Sequence, residues 1–264
     1  MHTDNYFWQG STHLTNEDYT IAGDKYIIVS DGCSGSPNTD WGSRFISKAA
    51  EKSLSYFPSE AFQYAVITKA TGMRLAAEMP EDCLDATLLV AAKHKGKVIV
   101  KLFGDGVVAF MRPGGMEVHS LEYAKEAPFY LNYLNNQDRL DGFTKYFGFD
   151  QRLTTYKAIG SGIVTDRFEK EFSSKEYYTV EAPAGTTAVI LMSDGVRSFI
   201  KRNVTESSIT QESVELSDVL EKLLDFKNYF GVFVQRRSKR FVKVEMPELG
   251  WINMDDVSIA GMWL

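Results

Sequence analysis

Hydrophobic positions along the chain gather into short, nearly continuous runs separated by breaks rich in Gly, Asp and Pro. Residues 19–31 hold two β-prone runs that flank Gly23–Asp24, a hairpin-like turn. The second run ends in Asp31–Gly32, and a loop of small residues, Cys33 to Asn38, follows. Trp41, Phe45, Ala49 and Lys52 then recur at spacings of four, four and three, with Ile46 and Ser53 beside them, which predicts an amphipathic helix. Pro58 stops it. Ser59 is placed to cap a second helix, in which Phe62, Ala65, Val66, Ala70 and Met73 share a face. Residues 86–92 and 97–103 predict strands joined by a turn at Lys95–Gly96. The second ends at Gly104-Asp105-Gly106, and a third strand runs from Val107 to Met111. Residues 187–192 predict a buried strand ending at Ser193-Asp194-Gly195. Leu216, Val219, Leu220, Leu223 and Leu224 mark a helix, Gly231 to Arg240 a further one, and Val257 to Leu264 a last strand behind Asp255–Asp256. Residues 120–180, rich in Tyr, Phe and Asn, show weak periodicity and predict a loop-rich insertion with one or two short strands.

Strands come in pairs and meanders rather than alternating singly with helices, which argues against a parallel doubly wound sheet. Near-continuous apolar runs imply burial on both faces. Two antiparallel sheets with helices packed outside them fit this order, and residues 1–264 are expected to form a single domain. The formal net charge of -6 argues against nonspecific binding of nucleic acid or an anionic membrane. Two cysteines, Cys33 and Cys83, make no disulfide framework, and no Cys/His cluster has zinc spacing. With no apolar run of membrane-spanning length and no signal-peptide pattern at the N-terminus, a cytoplasmic location is expected. The basic run Arg236 to Arg240 is read as a solvated helix face.

One feature recurs at the element ends. Asp31, Asp105 and Asp194 each follow an apolar strand and precede a glycine, Asp255 stands just before a strand, and Asp18 lies ahead of another. Any one Asp-Gly is ordinary turn chemistry. Several at the ends of buried strands are a different matter, because rigid strand ends can aim carboxylates at a common point. Acids gathered there repel unless a cation neutralises them, and an all-oxygen site suits magnesium or manganese.

The ordered set Asn16-Glu17-Asp18, Val29-Ser30-Asp31-Gly32, Asp85-Ala86-Thr87-Leu88, Phe103-Gly104-Asp105-Gly106, Leu191-Met192-Ser193-Asp194-Gly195 and Asp255-Asp256-Val257-Ser258 resembles the type 2C metal-dependent protein serine/threonine phosphatases, in their divergent bacterial and phage-type branch. The resemblance implies a four-layer αββα sandwich. It implies two manganese or magnesium ions bridged by Asp31, with Asp194 and Asp255 completing one shell and Glu17 or Asp18 with the Gly32 carbonyl the other. A weaker third ion would sit at Asp105 and Asp194. In that family an arginine usually grips phosphate where this chain has His13, so phosphate binding is expected from His13 and Arg44. Arg197 stands where the family often has an aromatic and an acid.

The implied catalytic set is Asp31, Asp194 and Asp255, acting through a water made nucleophilic by the two ions. Cys33 has no nearby arginine before Arg44 and is not expected to be a nucleophile. The implied substrate is a phosphorylated protein, opposing a serine/threonine kinase, and the chain is expected to act as a monomer. The alternative is a catalytically weak phosphatase-fold module that binds phosphorylated partners. Hydrolysis of a small phosphate ester stays open.

Overall fold

A residue's parity along its strand decides which layer of this molecule it enters. A computed structural model describes residues 1–123, 125, 127–159, 163–173, 177–204 and 209–264. In chain order the elements are β1 (His2–Trp8), β2 (Tyr19–Gly23), β3 (Tyr26–Ser30), α1 (Thr39–Glu51), α2 (Ala61–Ala76), β4 (Leu88–His94), β5 (Lys97–Phe103), β6 (Gly106–Arg112), β7 (Gly115–Tyr123), α3 (Gln137–Tyr146), β8 (Asp150–Ile159), β9 (Ile163–Ser173), β10 (Tyr178–Glu181), β11 (Ala188–Met192), β12 (Phe199–Val204), β13 (Ile209–Ser213), α4 (Leu216–Leu223), α5 (Phe233–Arg240), β14 (Trp251–Asn253) and β15 (Val257–Trp263). One sheet has the order β1-β15-β11-β6-β7-β8-β9 and a second the order β10-β5-β4-β3-β2. Their ladders are antiparallel throughout. A small sheet, β13-β12-β14, stands apart from both.

Successive side chains on a strand point to opposite faces. Ile27 and Val29 of β3, Leu89 and Ala91 of β4, Val108 and Phe110 of β6, Val189 and Leu191 of β11, and Ala260 and Met262 of β15 therefore meet between the sheets in one buried core. The alternate residues Ile28, Leu88 and Val90 turn outward against Ile46, Phe62 and Val66 of α1 and α2. On the other side Ile190, Met192 and Ile259 pack against Val219 and Leu223 of α4 and Phe233 of α5. Both faces of each central strand are covered, which is why their sequences read as unbroken apolar runs. At roughly 1.5–3 kcal/mol per fully buried aliphatic side chain, these three layers supply the main drive to fold. The expected αββα layering is what the chain adopts.

The structure revises several sequence expectations. The face of α1 built on Trp41, Phe45, Ala49 and Lys52 is displaced: Trp41 is 48% exposed, and the buried face runs through Gly42, Ser43, Ile46, Ser47, Ala49 and Ala50. Small residues win because α1 lies directly on the turn at residues 81–84; a Cβ on Gly42 would stand 1.5 Å from the Cys83 carbonyl oxygen. Ser59 does not cap α2. Its hydroxyl donates to the Tyr56 carbonyl at 2.5 Å, and the helix starts without a side-chain cap. Residues 120–180 are not loop-rich. They hold the end of β7, a 3₁₀ turn (Leu131–Asn135), α3 and strands β8 to β10. In β9, Arg167, Phe168, Glu169, Lys170 and Glu171 are all exposed, so its ladder to β8, not burial, holds it and no apolar run marks it. The aromatics of this region collect in a separate cluster around Tyr123, Phe129 and Phe143. Among the described residues no helix is long and apolar enough to cross a membrane.

Helix propensity alone favours Ala over Gly by about 1 kcal/mol in a helix interior. At position 42 the clash with Cys83 reverses the sign: Gly42→Ala is expected to lose about 1–3 kcal/mol by overpacking. Urea unfolding checks it, and a gain in midpoint would contradict the packing described for α1.

Candidate functional site

Five acids predicted from strand ends come together at one end of the sandwich. Asp31 leaves β3 in one sheet. Asp105 lies in the turn by which the chain crosses from β5 to β6 and so between the sheets, Asp194 follows β11, and Asp255 precedes β15 in the other sheet. Asp18 stands just before β2. Their mutual influence is visible in their acidities. Burial, then the charges of Asp18, Asp194 and Asp255, raise Asp31 well above the usual carboxylate range. Burial pushes Asp18 up to about 7 against the opposing Ser193 and Ser258 hydroxyls. Burial and the Asp194 charge push Asp105 up to about 7, and the same two causes raise Asp255 to about 6.

Backbone contacts fix these positions. A Cβ on Gly195 would lie 1.8 Å from the Asp256 carbonyl oxygen, so only glycine lets the Asp194 turn approach the start of β15. Ser198 ties the same two segments together: its hydroxyl donates to the Gly195 carbonyl at 2.8 Å and accepts from the Asp255 amide at 3.0 Å. Ser193 Oγ accepts from the Ser258 amide at 2.9 Å and donates to Asp18 Oδ2 at 2.8 Å. Asp31 is held through Thr87, whose amide donates to the Asp31 carbonyl at 2.8 Å. Gly32 packs so closely on Thr39 that a Cβ would meet its carbonyl oxygen at 2.7 Å.

Consecutive acids before β15 do different work. Asp256 is buried and accepts hydrogen bonds from the Gly10 and Glu17 amides, each at 2.7 Å, and so pins the loop between β1 and β2. His13 sits between the two acids, Nδ1 3.1 Å from Asp256 Oδ2 and Nε2 3.2 Å from Asp255 Oδ1. Burial alone would lower the His13 pKa. The hydrogen bond to Asp256 and the charges of Asp256, Asp255 and Glu17 outweigh it, and the net shift is upward. Both ring nitrogens are thus engaged by carboxylates. His13, Glu17 and Asp256 each bring a ligand atom within 4.8 Å of the others. We read this trio as a clamp rather than a metal site, because Asp256 already carries two amides and the imidazole. Glu17 turns to the Thr39 hydroxyl at 3.0 Å, whereas Asp18 is the acid of the pair that interacts with Asp31.

Arg44 is committed elsewhere: it hydrogen-bonds Asp40 and lies over the Tyr19 ring, 5.5 Å from its centroid. Arg197 stands at the rim, its Nη2 3.9 Å from Asp105 Oδ2 and its Nη1 3.0 Å from Glu122 Oε1. Asp85, quoted in the motif set but given no role there, is buried and joins three segments. It accepts from Ser36 Oγ at 2.8 Å, Asn132 Nδ2 at 2.9 Å and Arg139 Nη2 at 2.7 Å. Tyr130 is buried, and burial, then the neighbouring Cys33 thiol, push its pKa well above the usual phenol range. Sequence patterns passed over Arg139, Asn132 and Thr39, since a polar residue whose partner lies 22 to 54 positions away leaves no local signal.

The donor set fits a hard divalent cation. Asp18 Oδ1 is buried without a hydrogen-bond partner. Among the described residues, no Lys or Arg pairs with Asp18, Asp31 or Asp194. Oxygen-only clusters of this kind select magnesium, calcium or manganese over softer metals.

Residues 11–228 match the family model described as protein phosphatase 2C. No curated protein matches the chain in sequence. Among solved structures, the fold is similar to the Mycobacterium tuberculosis serine/threonine phosphatase PstP/Ppp, at 15% identity and a TM-score of 0.53 over 100% of this chain and 98% of that one. The catalytic domain of serine/threonine protein phosphatase PstP in complex with two manganese ions matches at 15% identity and a TM-score of 0.52, over 98% and 96%. Stp1, a serine/threonine phosphatase from Staphylococcus aureus, matches at 12% identity and a TM-score of 0.52, over 99% and 94%.

Removing one partner of a buried ion pair strands the other charge, at a cost of about 3–5 kcal/mol. Arg139→Met is expected to approach that loss, reduced by the Ser36 and Asn132 bonds that Asp85 keeps. Asp85→Asn with Arg139→Met should recover at least half of it. Denaturant melts of the two single variants and the double variant close the cycle, and strict additivity would contradict the pairing.

Proposed function

The chain belongs to the protein phosphatase 2C family, and on that premise we propose that it hydrolyses phosphoserine and phosphothreonine on proteins. The observation that carries the reading is the set of buried and half-buried acids, their pKa values raised, meeting where two sheets end. In this reading Asp31 would help hold two divalent cations, manganese or magnesium. Asp194 and Asp255 would contribute to one, and Asp18, in preference to Glu17, would contribute to the other with the Gly32 carbonyl. Two cations so held supply Lewis acidity that makes water nucleophilic near neutral pH and offsets charge on a phosphoryl group.

The chain's own residues do the rest. The strand ends hold the acids in place before substrate arrives, so little reorganisation accompanies the reaction. Asp256 fixes the loop that carries Asp18. His13, drawn toward the charged form by three acids, adds positive charge at the side of Asp255. Its nitrogens are already occupied, so it contributes as a charge and a spacer rather than as the two-pronged grip of an arginine. The expected substrate is a phosphorylated protein of the kind a serine/threonine kinase produces. Cys33 takes no part as a nucleophile.

The engagement of both His13 and Arg44 favours one second reading, a module that binds phosphorylated partners with little turnover. Calorimetry with a phosphopeptide separates the two: tight binding without phosphate release would support the second.

With manganese present, the purified protein is expected to release phosphate from a phosphothreonine peptide and from p-nitrophenyl phosphate. EDTA should abolish this, and Asp31→Asn or Asp194→Ala should lower it by roughly 10²–10³-fold or more. No release from either substrate by a folded, manganese-loaded sample would sink the proposal.

A second expectation concerns pH. Asp18, Asp105 and Asp255 have pKa values raised to about 7, about 7 and about 6. Raised values in the folded chain mean that protons stabilise it. For the cation-free protein this contribution is present below the ordinary carboxylate range and is lost as pH rises through about 6–7. A divalent cation favours the ionised acids and reverses that loss. The rise in melting temperature caused by manganese should therefore be larger at about pH 8 than at about pH 5.5. An equal or smaller rise at the higher pH would contradict cation binding by these acids.

A further inference from the structure

The five acids of the cluster are not neutralised in the same way. Asp255 faces the imidazole of His13 at 3.2 Å. Asp105 faces a guanidinium: Arg197 Nη2 is 3.9 Å from Asp105 Oδ2. Asp18, Asp31 and Asp194 have no Lys or Arg partner among the described residues. The chain thus provides its own cation at Asp105 and none at Asp18, Asp31 and Asp194, three of the four acids that the proposed function assigns to the two divalent ions.

Arg197 is not a loose surface side chain drawn to the nearest acid. It is about one-fifth exposed, and its Nη1 pairs with Glu122 Oε1 at 3.0 Å. Its Nη2 also donates to the Leu121 carbonyl at 3.3 Å. Glu122 is in turn held on its far side by Arg152 Nη2 at 2.5 Å. The backbone of β7 and a braced carboxylate therefore aim the guanidinium at Asp105 from two directions. The residue reaches that place because it closes the 3₁₀ turn Asp194–Arg197, which starts at the cluster's own Asp194. A divalent ion shared by Asp105 and Asp194 would have to approach a fixed positive charge within ion-pair range of one of its ligands. Like charges in a partly buried site repel strongly, and little solvent is present to screen them.

We propose that Arg197 takes the place of a third cation at Asp105, so that this chain holds two divalent ions and no more. The proposal rests on the reading of the acid cluster as a two-ion site. It corrects one expectation drawn from the family resemblance, the weaker third ion at Asp105 and Asp194. Arg197 becomes a positioning residue that sets the charge of Asp105, with no contact to substrate required of it.

The test counts ions rather than turnover. The protein is stripped with a chelator and titrated with manganese alone, bound and free ion being distinguished by electron paramagnetic resonance. The wild type should bind two. Arg197→Met, which keeps the volume and removes the charge, should bind a third. That third should disappear when Asp105→Asn is added, and Arg197→Lys, which keeps the charge, should stay at two. Thermal melts of each variant confirm that it is folded before its sites are counted. Three sites in the wild type, or two in folded Arg197→Met, would overturn the proposal while leaving the two-ion site intact. No binding by the wild type would overturn the two-ion site and this proposal together.

Discussion

Mutual repulsion among buried and half-buried carboxylates is the constraint around which the molecule is arranged. Two unit charges about 4 Å apart repel by roughly 4 kcal/mol at an effective dielectric constant near 20. Here acids from five separate segments, residues 18 to 255, influence one another's ionisation at the end of a closed sandwich. No local segment could hold such a group together. The ladders that pair β11 with both β6 and β15, and β3 with β4, do so. Each acid then stands at a strand end whose own side chains are locked in one of three apolar layers.

The same strand geometry assigns opposite roles to neighbours. Asp255 and Asp256 are adjacent in sequence and differ only in which way the incoming strand turns them. One stays with the acid cluster. The other is buried under the loop from Gly10 to Glu17 and spends its oxygens on two amides and an imidazole. His13 joins the two functions, since it is held by Asp256 and touches Asp255. A change at this histidine therefore acts on loop position and on cluster charge at once, and loss of activity alone would not say which had failed.

The central strands and their acids were legible because two signals coincide there. A strand covered on both faces reads as an apolar run, and the run's end is marked where an aspartate meets a glycine that tight packing or a positive φ demands. Gly106, at φ 142°, and Gly195, pressed on Asp256, are of this kind. Where either signal was missing, reading failed. β1 runs from four polar residues into three aromatics at a sheet edge, β8 and β9 extend the sheet with charged side chains, and α1 buries small residues where large ones drew the eye. Asp85 and Arg139 were illegible for another reason: their pairing is set by how α3 folds back over the Asp31 loop, a tertiary event with no periodicity to announce it. In the same way, the family resemblance left Arg44 as a stand-in for the arginine that His13 replaces, but its place one helical turn beyond Asp40 gives it a partner on its own helix.

Identities of 12–15% to solved phosphatases with the same layering are understandable on these terms. The inter-sheet core asks only for apolar residues of suitable size at alternate positions, and many combinations satisfy it. The site asks for more: acids at particular strand ends, and glycine where two backbones touch. Around that minimum the charge balance is free to be met in different ways, by bound ions, by an imidazole or by a guanidinium. His13 beside Asp255 and Arg197 beside Asp105 give the cluster basic side chains at two of its acids. Among the described residues Asp18, Asp31 and Asp194 have no Lys or Arg partner, so their repulsion is the part the protein itself leaves uncompensated, and that is where added cations gain most.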